Sequence, residues 1–265
     1  MIFIQPSISP VFLSLGYFDF RWYSLAYIFA FKFGSIFIKK LNKNSYYLLS
    51  EKQIDSFFVW SIIGVIIGGR VGYVLFYQTN LFFSDPFYIL EIWNGGMSFH
   101  GGLIGMILSI YLFSIKKNIR FFYLSDLVSL VAPIGLFFGR IANFINSELY
   151  GKVTDAPWGI IFSNVDNIVR HPSQIYEAFL EGFLLFLLLN FFAFRKKLIF
   201  KHGLISGLFL TFYSLFRFIS EFFREPDVHV GYLYLGTTMG QVLSLIMLFC
   251  GLILISILIE KKNEL

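Results

Sequence analysis

Seven apolar runs divide the chain, near 22–38, 56–78, 97–115, 123–143, 175–194, 203–222 and 237–259, each bounded by charged or Gly- and Pro-containing segments. A helix needs about 20 apolar residues to cross about 30 Å of hydrocarbon. The runs have that length, so the pattern predicts an all-α membrane protein, a seven-transmembrane helix bundle. The one sizeable connection, at about 144–174, carries Gly, Pro, Asn and Asp. No soluble domain, internal repeat or low-complexity tract interrupts the pattern, so residues 1–265 are expected to form a single polytopic transmembrane domain. The first basic residue is Arg21, so the N-terminus lacks the positive region of a cleaved signal peptide, and neither end carries a lipidation motif.

Composition narrows the class. Hydrophobic residues make up 57% of the chain and charged residues 14%, against about 25% in an ordinary soluble domain. With 36 Phe the chain is too apolar for one water-soluble core, and disorder, collagen and coiled coil are excluded too. The single cysteine, Cys250, cannot form an internal disulfide, and no Cys/His metal spacing is present. It stands mid-run among Leu, Ile and Phe, where a thiol is expected to stay protonated and inert.

The net charge of +5 reads as topology once its placement is known. Lys39, Lys40, Lys43 and Lys52 follow the first run, Lys116, Lys117 and Arg120 the third, Arg195, Lys196, Lys197 and Lys201 the fifth, and Lys261 and Lys262 the seventh. The alternate loops hold only Lys152, Arg170 and Arg224. Lys and Arg concentrate in cytoplasmic loops. The expected orientation is therefore N-terminus outside and C-terminus cytoplasmic, with no nucleic-acid partner implied.

Five basic residues remain at membrane depth: Arg21, Lys32, Arg70, Arg140 and Arg217. Intramembrane charge is costly and marks candidate functional sites. Lys32 lies near the inner end of its run and can snorkel. In the derived topology Arg21, Tyr23, Arg70, His100, Arg140 and Arg217 all fall in the outer half of the bilayer, which points to one shared polar pocket.

Three segments carry the chemistry. In GRIANFINSELYG (139–151), Arg140 and Asn143 share a helix face, and Glu148 and Gly151 follow where the helix leaves the membrane. The Arg140 guanidinium is a planar fork that suits a phosphodiester, although it could also snorkel to head groups. In FYSLFRFISEFFREPD (212–227), Tyr213, Arg217 and Glu221 recur every four residues, and an Arg217–Glu221 pair could serve the site or only lock the bundle. In NGGMSFHGGLIG (94–105), His100 stands among Gly101, Gly102 and Gly105, which allow close approach of backbone or lipid. A neutral imidazole there could act as general base, or the ring could only pack. In HPSQIYE (171–177), His171 and Gln174 could reach the pocket, but an N-cap role for Ser173 and local packing are the stronger expectation.

These segments, with WYSLAY (22–27), GGRVGYVLFY (68–77) and RHPSQIYE (170–177), resemble the prolipoprotein diacylglyceryl transferases of the bacterial inner membrane, in unbroken order from about Trp22 to Gln241. The resemblance implies transfer of the diacylglyceryl group of phosphatidylglycerol to the lipobox cysteine thiol of a preprolipoprotein, with glycerol 1-phosphate leaving. No cofactor or metal is implied. The implied site comprises Tyr23, His100, Arg140, Asn143, Glu148, Gly151, Tyr213, Arg217 and Glu221, with Arg140 at the phosphatidylglycerol-binding position. The site would face the periplasmic leaflet. Arg21 stands where members differ and is left out, and the loop near 155–170 is shorter than in some. The thiol base is left open between His100 and Glu221. Two other classes would leave different marks: another intramembrane lipid-modifying enzyme such as an acyltransferase would favour a cytoplasmic-side site, and a small-molecule transporter would show paired broken helices and an internal repeat.

Overall fold

The computed structural model describes residues 3–16, 18–43, 49–226 and 231–263. Asp227, which ends the last motif, lies outside the described residues, as do the side chains of Lys43, Lys261 and Lys262. The protein is mostly helical: α1 (Trp22–Lys43), α2 (Glu51–Tyr77), α3 (Thr79–Ser84), α4 (Phe99–Lys117), α5 (Phe121–Ile145), α6 (Ser173–Arg195), α7 (Leu204–Ser220) and α8 (Met239–Asn263). Among the described residues, five helices (α2, α4, α5, α6 and α8) are long and apolar enough to cross a membrane, and α7 is a shorter apolar helix. This is an all-α membrane protein. On α8 a row of large apolar side chains, including Leu243, Ile246, Phe249 and Ile253, is exposed, and so is Cys250.

Among the described residues five short strands accompany the helices: β1 (Phe3–Gln5), β2 (Val11–Leu15), β3 (Phe18–Arg21), β4 (Ile160–Phe162) and β5 (Val169–Arg170). The pair β2–β3 is an antiparallel hairpin that feeds directly into α1. In the other sheet β4 is central, parallel to β1 and antiparallel to β5.

The chain divides into two compact units, one comprising Met1–Phe37 and Asp126–Leu265, the other Ile38–Ser125. The second unit is built on α2 and α4. A Ser50–Gln53 capping box starts α2, and the Ser98 hydroxyl caps α4 by accepting from Gly101 N. Asn118, left-handed at φ 52°, ends α4 just after Lys116 and Lys117, whose charges complement the helix dipole. The two helices meet glycine to glycine: a Cβ on Gly68 would fall 2.8 Å from Gly105 Cα, and one on Gly72 equally close to Gly101 Cα. Close backbone contact of this kind replaces the hydrophobic drive that lipid does not supply. Ile54, Phe57, Val74, Ile110 and Phe113 fill the rest of the core.

Arg70, buried in α2, is held by this unit. Its guanidinium donates to the backbone carbonyls of Tyr88 (2.6 Å), Ile89 (3.3 Å) and Gly95 and lies 4.6 Å from the Tyr88 ring centroid. Its depth in the sequence marked it as a site candidate, but its donors are spent on pinning the segment that leads to α4.

In the first unit, α6 is α-helical over Ser173–Glu177, π-helical over Ala178–Leu184, and widens again at Phe191–Arg195. The start of α7 is capped from a distance: the buried Asp126 carboxylate accepts from Gly203 N (2.6 Å), Ser206 N (2.8 Å) and Ser206 Oγ (2.7 Å). That satisfies backbone donors that a helix N-terminus otherwise leaves open.

Candidate active site

The first unit brings Tyr23, Arg140, Asn143, Glu148, Gly151, Tyr213, Arg217 and Glu221 into two neighbouring networks. His100 belongs to the second unit. There it is the second residue of α4, exposed, with its ring 5.7 Å from that of Phe99.

The first network surrounds the turn that ends α5. Tyr23 Oη donates to Glu148 Oε2 at 2.8 Å, and Asn143 Nδ2 bonds to both Tyr23 Oη and Glu148 Oε2. Asn146 Nδ2 reaches Glu148 Oε1 at 3.3 Å. The turn is strained, with Ser147 at φ 58° and Leu149 at φ 54°. A left-handed conformation costs an L-residue roughly 1–2 kcal/mol and persists only where its surroundings enforce it. The enforcing contacts are visible. Ser173 Oγ donates to Leu149 O (3.0 Å), Gln174 Nε2 to Glu148 O (2.7 Å), and Ser147 Oγ to Gln5 Oε1 (3.1 Å). This corrects the expectation for Ser173: it is the first residue of α6, follows an N-cap Pro172 that makes no side-chain cap, and spends its hydroxyl on the turn.

Gly151 N donates to His171 O at 3.0 Å, and Gly151 forms an antiparallel bridge with Arg224. A Cβ at 151 would lie 2.6 Å from His171 Cβ and 2.7 Å from Phe223 O. The glycine is required by the close approach of three segments, while the turn itself is made by Ser147 and Leu149. Beside it Arg170 donates to Gly151 O (3.2 Å) and pairs with Asp166 at 2.7 Å. Arg170 holds the Asp166 carboxyl below its ordinary range, and burial lowers the affinity of His171 for a proton.

The second network is ionic. Arg140 Nη2 donates to Glu181 Oε2 (3.1 Å), and Arg140 Nε lies 3.0 Å from Glu177 Oε2. The latter contact is off the N–H axis, so it is Coulombic rather than a hydrogen bond. Arg217 Nη1 reaches Glu177 Oε1 at 2.6 Å and Glu181 Oε1 at 3.4 Å, while its Nη2 pairs with Glu221. Arg224 Nη1 approaches Glu177 Oε1 at 3.7 Å. Glu221 Oε2 accepts from Thr238 Oγ1 (2.6 Å), and a Cβ on Gly240 would come within 2.8 Å of the same oxygen. Tyr213, one turn before Arg217, stacks on Phe209 with centroids 5.7 Å apart.

Both Glu177 and Glu181 have fully buried side chains, whereas Arg140 and Arg217 keep 14% and 13% of theirs exposed. The carboxylates thus hold two guanidinium groups side by side in one largely buried cluster. Sequence reasoning missed Glu181, Thr238 and Gly240 and gave Glu177 no role. The signal was present for the glutamates: two carboxylates four apart in an apolar run are as costly as the arginines that were noticed.

Residues 10–257 match the family model described as prolipoprotein diacylglyceryl transferase. The chain is 49% identical to the phosphatidylglycerol–prolipoprotein diacylglyceryl transferase of Rickettsia typhi, over 97% of this chain and 100% of that protein. It is 48% identical to the proteins of the same name from Rickettsia bellii (94% of this chain, 95% of the relative) and Rickettsia rickettsii (94% and 96%).

Proposed function

The chain belongs to the prolipoprotein diacylglyceryl transferase family, and from that premise we propose that it moves the diacylglyceryl group of phosphatidylglycerol onto the lipobox cysteine thiol of a preprolipoprotein, with glycerol 1-phosphate leaving. The observation that carries this reading is the Arg140–Arg217 pair, held together by the buried Glu177 and Glu181. Two adjacent guanidinium forks suit the two unesterified oxygens of a lipid phosphodiester.

The protein works as one polytopic domain in the bacterial inner membrane. It has seven spans, with α1 and α7 completing the five longer helices, the N-terminus outside and the C-terminus cytoplasmic. The site faces the periplasmic leaflet, where a lipid head group and the cysteine of a signal helix stand at the same depth. Arg140 and Arg217 bind the phosphate and stabilise charge on the departing glycerol phosphate. The thiol loses its proton to His100 or to Glu221, and the thiolate attacks the glyceryl carbon, forming the C–S bond as the C–O bond to phosphate breaks. Glu221 is already engaged by Arg217 and Thr238 and would have to loosen these contacts to take the proton. Asn143, Glu148 and Tyr213 orient these groups, Tyr23 forms the rim, and Gly151 lets the strand segments close beside them.

The test is transfer itself. Purified protein, phosphatidylglycerol and a lipobox peptide are incubated and the peptide is weighed by mass spectrometry. A diacylglyceryl thioether on the cysteine supports the reading; a peptide left unmodified where the Rickettsia typhi relative modifies it overturns it.

A further inference from the structure

Among the described residues the ionic network balances its own charge without a ligand. Arg140, Arg217 and Arg224 face Glu177, Glu181 and Glu221. A phosphodiester bound by Arg140 and Arg217 adds one negative charge beside carboxylates that are already buried. An uncompensated charge in such surroundings is strongly disfavoured, and a buried carboxylate relieves it by taking a proton.

The three carboxylates are unequally supported. Glu177 faces three arginines, at 3.0, 2.6 and 3.7 Å. Glu221 has its Arg217 pair and a hydroxyl donor at 2.6 Å from Thr238. Among the described residues Glu181, whose side chain is fully buried, pairs only with Arg140 Nη2 at 3.1 Å and Arg217 Nη1 at 3.4 Å. The charged groups around it are Arg140 from α5, Arg217 from α7 and Glu177 from its own helix, and the Tyr213 phenol of α7 also faces it. Its two supporting cations are the ones a phosphate would share, so lipid binding weakens the hold on Glu181 first. It also lies in the π-helical stretch Ala178–Leu184, a widening of the kind frequent at functional sites.

We propose that Glu181 takes up a proton from water as the phosphodiester enters, so that binding of an anionic lipid and protonation of this carboxylate are one coupled step. The proposal rests on Arg140 and Arg217 as the phosphate-binding pair. It makes Glu181 a positioning residue that sets how affinity for the anionic head group depends on pH.

The experiment titrates the purified full-length protein in detergent with dihexanoyl phosphatidylglycerol by calorimetry, in buffers of different ionisation heat near pH 7.5, which counts protons bound per lipid. The expected count is about one for the wild type, with affinity falling toward tenfold per pH unit above neutrality. Glu181→Gln is expected to bind at least as tightly, with a count near zero and a flat pH profile. The wild-type count needs no variant: lipid binding with no proton uptake overturns the proposal alone, as does uptake that persists in Glu181→Gln. No binding and no transfer by folded wild-type protein overturns the phosphate-pair reading, and this proposal with it.

Discussion

Arg217 Nη1 lies 2.6 Å from Glu177 Oε1, while the other oxygen of the same carboxylate faces Arg140 Nε at 3.0 Å. One buried glutamate on α6 therefore sets the spacing between guanidinium groups on α5 and α7. The proposed phosphate site is a product of that three-helix contact.

If the forks matter and not only their charge, Lys cannot replace either arginine. Arg140→Lys and Arg217→Lys are each expected to lower kcat/KM about 100-fold or more, equivalent to about 2.7 kcal/mol of transition-state stabilisation. Steady-state transfer kinetics with phosphatidylglycerol check this; wild-type turnover in either variant contradicts it.

Removing the shared carboxylate leaves buried cations uncompensated. Glu177→Ala is expected to destabilise the protein by about 3–5 kcal/mol, since breaking a buried pair from one side costs that much. Thermal unfolding in detergent reads the loss, and a melting temperature equal to that of the wild type contradicts the account.

Gly151→Ala tests the close approach beside the site. The added methyl meets His171 Cβ and Phe223 O inside 2.8 Å, so the backbone must move. A folded protein with transfer reduced at least tenfold is expected, and unchanged transfer would show that these segments need not close.

Asp126 is a structural carboxylate. Asp126→Ala loses three charge-assisted hydrogen bonds at the start of α7, for about 2–3 kcal/mol of stability. Detergent unfolding measures it. In the milder Asp126→Asn, turnover per folded molecule is expected to be unchanged, because the group lies outside both networks.

The Asp166–Arg170 pair gives a pH test outside the spans. The folded-state pKa of Asp166 is depressed by Arg170. Its contribution to stability is therefore present above the unfolded carboxyl value of about 3.9 and is lost as pH falls through the lower folded value. Asp166→Asn should be slightly less stable than wild type at pH 7, and the gap should close below about pH 4. A gap that widens on acidification contradicts the assignment.

What could be read from the sequence follows the range of each interaction. The Tyr213–Arg217–Glu221 stripe was legible because residues four apart on one helix meet whatever the tertiary fold. Asn143 was placed by the same rule, and the Asn143–Glu148 hydrogen bond spans only one turn. Glu181 is equally close to Glu177 along its helix, but its two arginine partners lie on other helices, where no sequence spacing reveals them. Arg70 could not be resolved, since depth alone does not reveal carbonyls supplied by the turn at 88–95. Gln5 was also beyond reach. Its buried side chain donates to Phe144 O at 2.6 Å and accepts from Ser147, and β1 pairs with β4 across more than 150 residues of chain. No periodicity in a three-residue strand announces such a partner.

The central claim is that Arg140 and Arg217 together hold the lipid phosphate. Solid-state NMR on protein carrying ¹⁵N-arginine, reconstituted with phosphatidylglycerol, measures it as ³¹P–¹⁵N dipolar dephasing. The account predicts dephasing corresponding to about 4 Å between phosphorus and guanidinium nitrogens, weakened in Arg140→Lys and in Arg217→Lys. Active wild-type protein with no such dephasing, or dephasing unaffected by both substitutions, would contradict it.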